Sequence, residues 1–173
     1  MKEREQMMIE IREGRPEDAE AVLAYTKIVG GETDNLTFGA EGLGVTPEQE
    51  AEFLRGIKEN PRAVFLCAWK DGELIGTGYL EAMNRRMKHR SRLAISILKS
   101  EWNKGVGSEM MKRLIAFARG IGVELVELEV RSDNKRAIHL YEKFGFKRIG
   151  TSPAFFRIGD EYIDFELMYL DLR

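Results

Sequence analysis

Ile97-Leu98-Lys99-Ser100-Glu101-Trp102-Asn103-Lys104-Gly105-Val106-Gly107-Ser108 is the passage on which the fold turns. Ahead of its turn, Leu93, Ile95 and Ile97 alternate with Ala94, Ser96 and Leu98, the period of a strand. From Gly105 to Arg119, Val106, Met110, Leu114 and Phe117 recur at helical spacing, with Met111, Ile115 and Ala118 beside them. A strand, a short glycine-bearing turn and a helix start therefore follow one another. Backbone N–H groups at such a start lack intrahelical partners and sit at the positive end of the helix dipole. Glycines let a ligand approach the main chain, so the passage predicts an anion cradle suited to a pyrophosphate.

Three ligand classes compete for that cradle. A Walker A loop needs Gly-Lys-Ser/Thr, which the chain lacks. A dinucleotide fingerprint needs a third glycine, but Gly105-Val106-Gly107 runs on into Ser108-Glu109-Met110. Coenzyme A is the third. The bland alternative is that Gly105 and Gly107 only allow tight helix-strand packing.

Working outward, the pattern predicts seven strands and four helices. Met8 to Arg12 alternates as a strand. Pro16 opens a helix carrying Ala19, Val22, Leu23 and Tyr25 to Ile28, which Gly30-Gly31 are expected to stop. Residues 32–45 read as a loop. Thr46-Pro47 starts a second helix with Phe53, Leu54 and Ile57 as its buried side, ended by Asn60-Pro61. Ala63 to Trp69 and Leu74 to Met83 are strands around the hairpin signal Asp71-Gly72. Val126, Leu128 and Val130 form a period-two strand, and Asn134 to Phe144 a helix. Phe146 to Ile149 and Tyr162 to Leu172 are closing strands joined by a loop around Gly159-Asp160. The order β-α-α-β-β-β-α-β-α-β-β predicts one α/β domain of α+β type over residues 1–173. Its sheet is mixed, mostly antiparallel, and its two late strand-helix-strand passages make parallel neighbours.

Composition narrows the classes further. The 173 residues carry 27 Lys+Arg and 29 Asp+Glu, so no global charge draws the chain to polyanions. One cysteine, Cys67, excludes an internal disulfide and any multi-cysteine metal site; it reads as a buried core thiol. His89 and His139 make no metal pattern, so no metal is expected. The start Met1-Lys2-Glu3-Arg4-Glu5-Gln6 lacks a signal peptide's apolar core, and no run reaches a membrane-spanning length. A cytoplasmic protein with no membrane partner is the expectation.

About 30 residues after the cradle comes Asn134-Lys135-Arg136-Ala137-Ile138-His139-Leu140-Tyr141-Glu142-Lys143-Phe144-Gly145-Phe146. With the first passage, it resembles the GNAT superfamily of acetyl-CoA-dependent N-acetyltransferases. That family shows Arg/Gln-x-x-Gly-x-Gly/Ala after its fourth strand, then Asn-x-x-Ala-x-x-Leu-Tyr-x-x-x-Gly-Phe. Gly159, Tyr162, Asp164 and Met168 add a weaker likeness to the endings of many members. The likeness runs from about Arg92 to Leu170. One departure is that the first motif position is Trp102, followed by Asn103.

The resemblance implies acetyl-CoA as co-substrate. It implies pyrophosphate contacts from Trp102, Asn103, Lys104, Gly105, Val106, Gly107 and Ser108, and a pantetheine arm along Ser96, Ile97, Leu98 and Lys99. It gives Leu98 an oxyanion-stabilising N–H, Asn134 a cofactor contact, and Tyr141 the role of general acid toward the departing thiolate. The bland reading of Tyr141 is a packing residue. A homodimer is implied by the family alone. Glu32, Asp34 and Glu81 are candidates to receive the acceptor's proton, without a motif to mark them.

Between Lys27 and Arg55 there is no basic residue, while Glu32, Asp34, Glu41, Glu48, Glu50 and Glu52 fall in that span. Beside an acceptor groove they would favour a cationic primary amine, with Glu32 and Asp34 as contacts. Glu48, Glu50 and Glu52 read equally as dipole-compatible residues of a helix start. The opposite pole, Arg85, Arg86, Lys88, Arg90 and Arg92, reads as a solvated tip. It lacks the interleaved aromatics that stack RNA, and no nucleic-acid partner is expected. Other readings are a non-catalytic CoA-binding module and an acetyltransferase acting on a protein amine.

Overall fold

The computed structural model describes residues 9–173. The strand expected from Met8 therefore begins outside them and is seen from Ile9. Strands β1 (Ile9–Glu13), β2 (Ala63–Lys70), β3 (Glu73–Ala82), β4 (Arg90–Ile97), β5 (Leu125–Arg131), β6 (Lys147–Ile158) and β7 (Glu161–Asp171) form one sheet. Helices α1 (Ala19–Glu32), α2 (Pro47–Glu59), α3 (Val106–Gly120) and α4 (Lys135–Lys143) cover its faces. None is long and apolar enough to cross a membrane.

The sheet order is β1-β2-β3-β4-β5-β7-β6. Only β4 and β5 pair in parallel, as the α3 crossover requires; the other neighbours are antiparallel. The second strand-helix-strand passage departs from the expectation. β7 lies between β5 and β6, because hairpin pairing with β6 through the two-residue turn Gly159-Asp160 carries it back into the sheet. β6 also runs on to Ile158, past a bulge between Ser152 and Phe156, where a loop was expected.

Alternation on the strands builds two cores. Toward α3 and α4, Leu66, Leu80, Leu93, Val126 and Leu128 pack on Met110, Met111, Leu114 and Ile138. α3 lies close because β3 has Gly78 beneath it: a Cβ there would stand 2.7 Å from the Met110 sulfur. On the other face, Val22, Tyr25 and Val29 of α1 and Leu54 of α2 cover Cys67 and Leu74. Burial pushes the Cys67 thiol up to about 12, which fits a core residue.

Two local expectations fail for packing reasons. α1 does not stop at Gly30-Gly31 but continues to Glu32. Gly30 is needed because the following loop crosses it; a Cβ would stand 2.1 Å from the Gly39 carbonyl oxygen. In α2 the buried residues are Glu50, Leu54 and Ile57, whereas Phe53 is 46% exposed.

The decisive feature for function is a split in the sheet. β3 pairs with β4 as far as Ile97, but β4 pairs with β5 only over Arg90–Arg92. Met83 N–H bonds to Arg90 O, and Leu98 N–H bonds to Ile75 O. Even-numbered residues of β4 thus face β3; Leu93 N–H closes the last rung of the β4–β5 ladder, and beyond it the Leu93 carbonyl and the backbone groups of Ile95 and Ile97 point into the gap.

Candidate active site

A cavity of about 860 Å³ occupies this gap and continues over the sheet face under α1 and α2. At one end is the turn that opens α3. Asn103 (φ 60°) and Gly105 (φ +88°) adopt left-handed conformations that bring the chain into the helix. Glycine takes that conformation without steric cost, which is why Gly105 occupies the cap. Glu109 N–H makes the bond to Gly105 O that begins the helical ladder. The amides of Val106, Gly107 and Ser108 precede it and are left for a ligand. Lys70 Nζ holds Glu101 at 3.0 and 3.1 Å, tying this turn to the end of β2.

Trp102, where the family motif has Arg or Gln, is fixed at two points. Its indole N–H donates to Ile97 O at 2.9 Å, capping the last carbonyl that faces the gap. The Arg136 guanidinium stacks on its ring with the carbon 3.3 Å from the centroid. Arg136 was not singled out in the sequence; its signal is a cation two residues after Asn134, at a helix start. Asn134 caps α4, its side-chain oxygen accepting from Ala137 N–H at 3.3 Å, so its amide NH2 is what remains for a ligand.

Ser96, Ile97, Trp102, Asn103, Gly105, Gly107, Ser108, Asn134 and Tyr141 line the cavity together. Lys99, Lys104 and Val106 do not. Lys99 is exposed. Lys104 turns back to Glu101 at 3.7 Å, and Val106 is in the core. Leu98 requires a correction. Its N–H is already given to Ile75 O, and its side chain packs against both cores. The N–H groups facing the gap belong to its neighbours Ile97 and Ile95.

Ser96 points the other way, onto the α1 face. Its hydroxyl is within 2.9 Å of Tyr25 Oη and 3.0 Å of Thr77 Oγ1. Tyr141 is buried on the inner face of α4, its ring 5.9 Å from that of Phe146. Burial pushes its phenol up to about 12 against a small opposing effect of Arg136, so the group is protonated at neutral pH.

The three proposed acceptor carboxylates are not brought together. Glu32 accepts from Lys99 N–H at 2.8 Å and so ties α1 to the turn. Asp34 is exposed, and its carbonyl accepts from Arg131 at 3.2 Å. Glu81 is exposed and accepts from the Tyr79 hydroxyl; of that pair only Tyr79 lines the cavity. A carboxylate that does line it is Glu50 of α2, whose group is pushed up by burial.

A model of the acetyltransferase (GNAT) family matches residues 34–146. This span includes the open strand edge, the α3 cradle and Tyr141. The chain belongs to the GNAT acetyltransferase family. This GNAT chain is 31% identical over 117 residues to the N-alpha-acetyltransferase RimI of Mycobacterium tuberculosis, covering 67% of the chain and 72% of RimI. A solved GNAT-family acetyltransferase from Streptococcus pneumoniae superposes with a TM-score of 0.91 at 30% identity, over 96% of this chain and all of that one. The fold is shared with yncA of Salmonella typhimurium, solved with its cofactor acetyl-CoA (TM-score 0.79, 18% identity, 95% of this chain and 94% of that one). The seven-stranded sheet with four helices is thus a GNAT fold, and the chain is an acetyltransferase of that family.

Proposed function

We propose that the protein is an N-acetyltransferase that moves the acetyl group of acetyl-CoA to a primary amine of a small cationic acceptor. The observation that carries this reading is the continuity of one cavity. It runs from the Gly105–Ser108 amides, along the unpaired edge of β4, past Tyr141, to the groove beneath α1 and α2.

Each part fits the donor chemically. Unpaired helix-start amides and Arg136 suit a pyrophosphate. The Leu93 carbonyl and the Ile95 amide and carbonyl suit an arm that itself carries amides, as an added strand would. In our reading the Ile97 or Ile95 N–H, rather than that of Leu98, donates to the thioester carbonyl oxygen as charge develops there.

The acceptor ammonium gives one proton to solvent and attacks the carbonyl carbon as the free amine; the nitrogen gives a second proton to solvent as the amide forms and the carbon–sulfur bond breaks. Tyr141 donates its proton to the sulfur and recovers one from solvent. A phenol held near 12 is a weaker acid than a free thiol. The transfer becomes feasible because the same burial makes the thiolate a stronger base. Phe53, Phe65 and Tyr79 wall the acceptor groove, and aromatic faces attract cations.

The likeness to RimI favours a second acceptor, the N-terminal amine of a protein. The deciding experiment is release of free thiol from acetyl-CoA with a panel of small amines and peptides, for wild type and Tyr141→Phe. Turnover with a small cationic amine, cut at least tenfold in kcat by the substitution, is expected. Turnover on peptides alone would move the acceptor to the second reading. Turnover on nothing, with acetyl-CoA still bound, would make the protein a CoA-binding module.

A further inference from the structure

Helix α2 places a carboxylate where a core residue belongs. Glu50, Leu54 and Ile57 follow one another at i, i+4 and i+7, and all three are buried. Glu50 is only 4% exposed and opens onto the cavity. Its backbone N–H is used, bonding to Thr46 O at 3.0 Å. Its carboxylate has no hydrogen-bond or ion-pair partner among the described residues, and desolvation alone governs its titration. The same cavity wall carries aromatic rings: Phe53, one turn further along α2, meets Phe65 edge-on at 6.4 Å and Tyr79 at 6.3 Å. A buried, unpaired charge is costly, and an apolar side chain here would spare that cost. A partner that arrives from outside would remove it.

The position of Glu50 says which part of the acceptor it meets. Phe53, one turn along the same helix, packs on Phe65 of β2 and Tyr79 of β3. The open edge lies on the far side of β4, beyond β3 in the sheet. Glu50 itself is close enough to Cys67 of β2 to act on its thiol, and two strand spacings, on the order of 10 Å, separate β2 from β4, along which the donor would lie. A carboxylate at that distance does not touch the reacting nitrogen.

Resting on the reading of this cavity as an amine acetylation site, we infer that Glu50 anchors a second positive charge of the acceptor. The substrate class is then a dication: a diamine whose two nitrogens stand about two strand spacings apart, one against Glu50 in the aromatic-walled groove, the other presented at the β4 edge.

Steady-state acetyl transfer to 1,7-diaminoheptane and to heptylamine, which share a carbon chain and differ in the second ammonium, tests this with wild type and Glu50→Gln. Wild type is expected to favour the diamine at least tenfold in kcat/KM. Glu50→Gln should erase that preference by raising KM for the diamine, leaving kcat and the Kd for acetyl-CoA unchanged. No preference in wild type, or an equal fall in kcat for both amines, would overturn the inference; the latter would place Glu50 on the reacting nitrogen. Calorimetric binding of 1,7-diaminoheptane to the CoA complex separates the two readings. Binding lost in Glu50→Gln without any turnover would keep the anchor and refute the acetylation, and binding indifferent to the substitution would refute the anchor.

Discussion

Arg136 lies flat on Trp102, its guanidinium carbon 3.3 Å from the ring centroid, and the same indole holds the last gap-facing carbonyl of β4. The tryptophan at the first motif position thus supplies no charge of its own but seats one from α4. With tryptophan rather than arginine or glutamine at that position, the positive charge beside the turn is Arg136 of α4.

Arg136→Ala and Trp102→Ala should each raise the KM for acetyl-CoA by about tenfold, from a stacking contact of about 0.5–2 kcal/mol and a hydrogen bond of about 1 kcal/mol. Because one residue acts through the other, the double variant should be little worse than Trp102→Ala. Additive losses in the acetyl-CoA titration would show the two to be independent.

Gly30→Ala tests the loop that crosses α1. The new Cβ would stand 2.1 Å from a backbone oxygen and 2.9 Å from Phe38, so the loop must move. Phe38 and its neighbour Leu36 line the acceptor end of the cavity. Acceptor KM should rise severalfold and the melting temperature fall, with acetyl-CoA binding unchanged. A loss of acetyl-CoA affinity would show that the loop also shapes the donor end.

Two carboxylates should move stability with pH in opposite directions. Arg12 holds Asp18 below its ordinary range through bonds of 2.7 and 2.9 Å. That stabilisation is present above the unfolded value of about 3.9 and is lost as pH falls through the lower folded value. Burial raises Glu50, so the folded state binds its proton more tightly than the unfolded one. Stability therefore falls as pH rises from the unfolded value, about 4.3, to the folded one. At pH 7, Asp18→Asn should lower the melting temperature and Glu50→Gln should raise it. A Glu50→Gln protein that melts lower would mean that the carboxylate has a partner in solution.

The high Tyr141 value predicts the shape of the rate profile. With the phenol protonated throughout, kcat/KM should climb toward the pKa of the acceptor amine, with no descending limb below about pH 10. A fall near pH 8 or 9 would point to a different proton donor.

The two motif-bearing helices were legible because their glycines, asparagine and tyrosine stand at fixed offsets within strong helical periods. Local pattern also carried the hairpin at Asp71-Gly72 and the number of strands. The place of β6 was not legible, since the insertion of β7 depends on pairing across the sheet and not on either strand's own pattern. Leu98 was misread for a related reason: which amides face the gap follows from the β3 register, and parity moves the role by one residue. Glu50 was hidden by its neighbours. Glu48, Glu50 and Glu52 look alike as a run, and only the helical period, read from Leu54 and Ile57, turns the middle one inward. Sequence shows the charge of Glu32 but not that its carboxylate already holds Lys99 N–H, and it does not show that Asp34 meets Arg131 through its backbone carbonyl.

The gap between β4 and β5 makes the donor a structural element as well as a reactant. A sheet with one interrupted ladder exposes amides that should exchange with solvent hydrogen quickly at Ile95 and Ile97 in the free protein. In the function proposed above coenzyme A would supply the missing rungs, and on adding it protection should spread from the bound arm to both flanking strands. At a hundredfold excess over Kd the gain is about 2.7 kcal/mol. On that proposal the fold would be finished by its own substrate and opened again at each turnover.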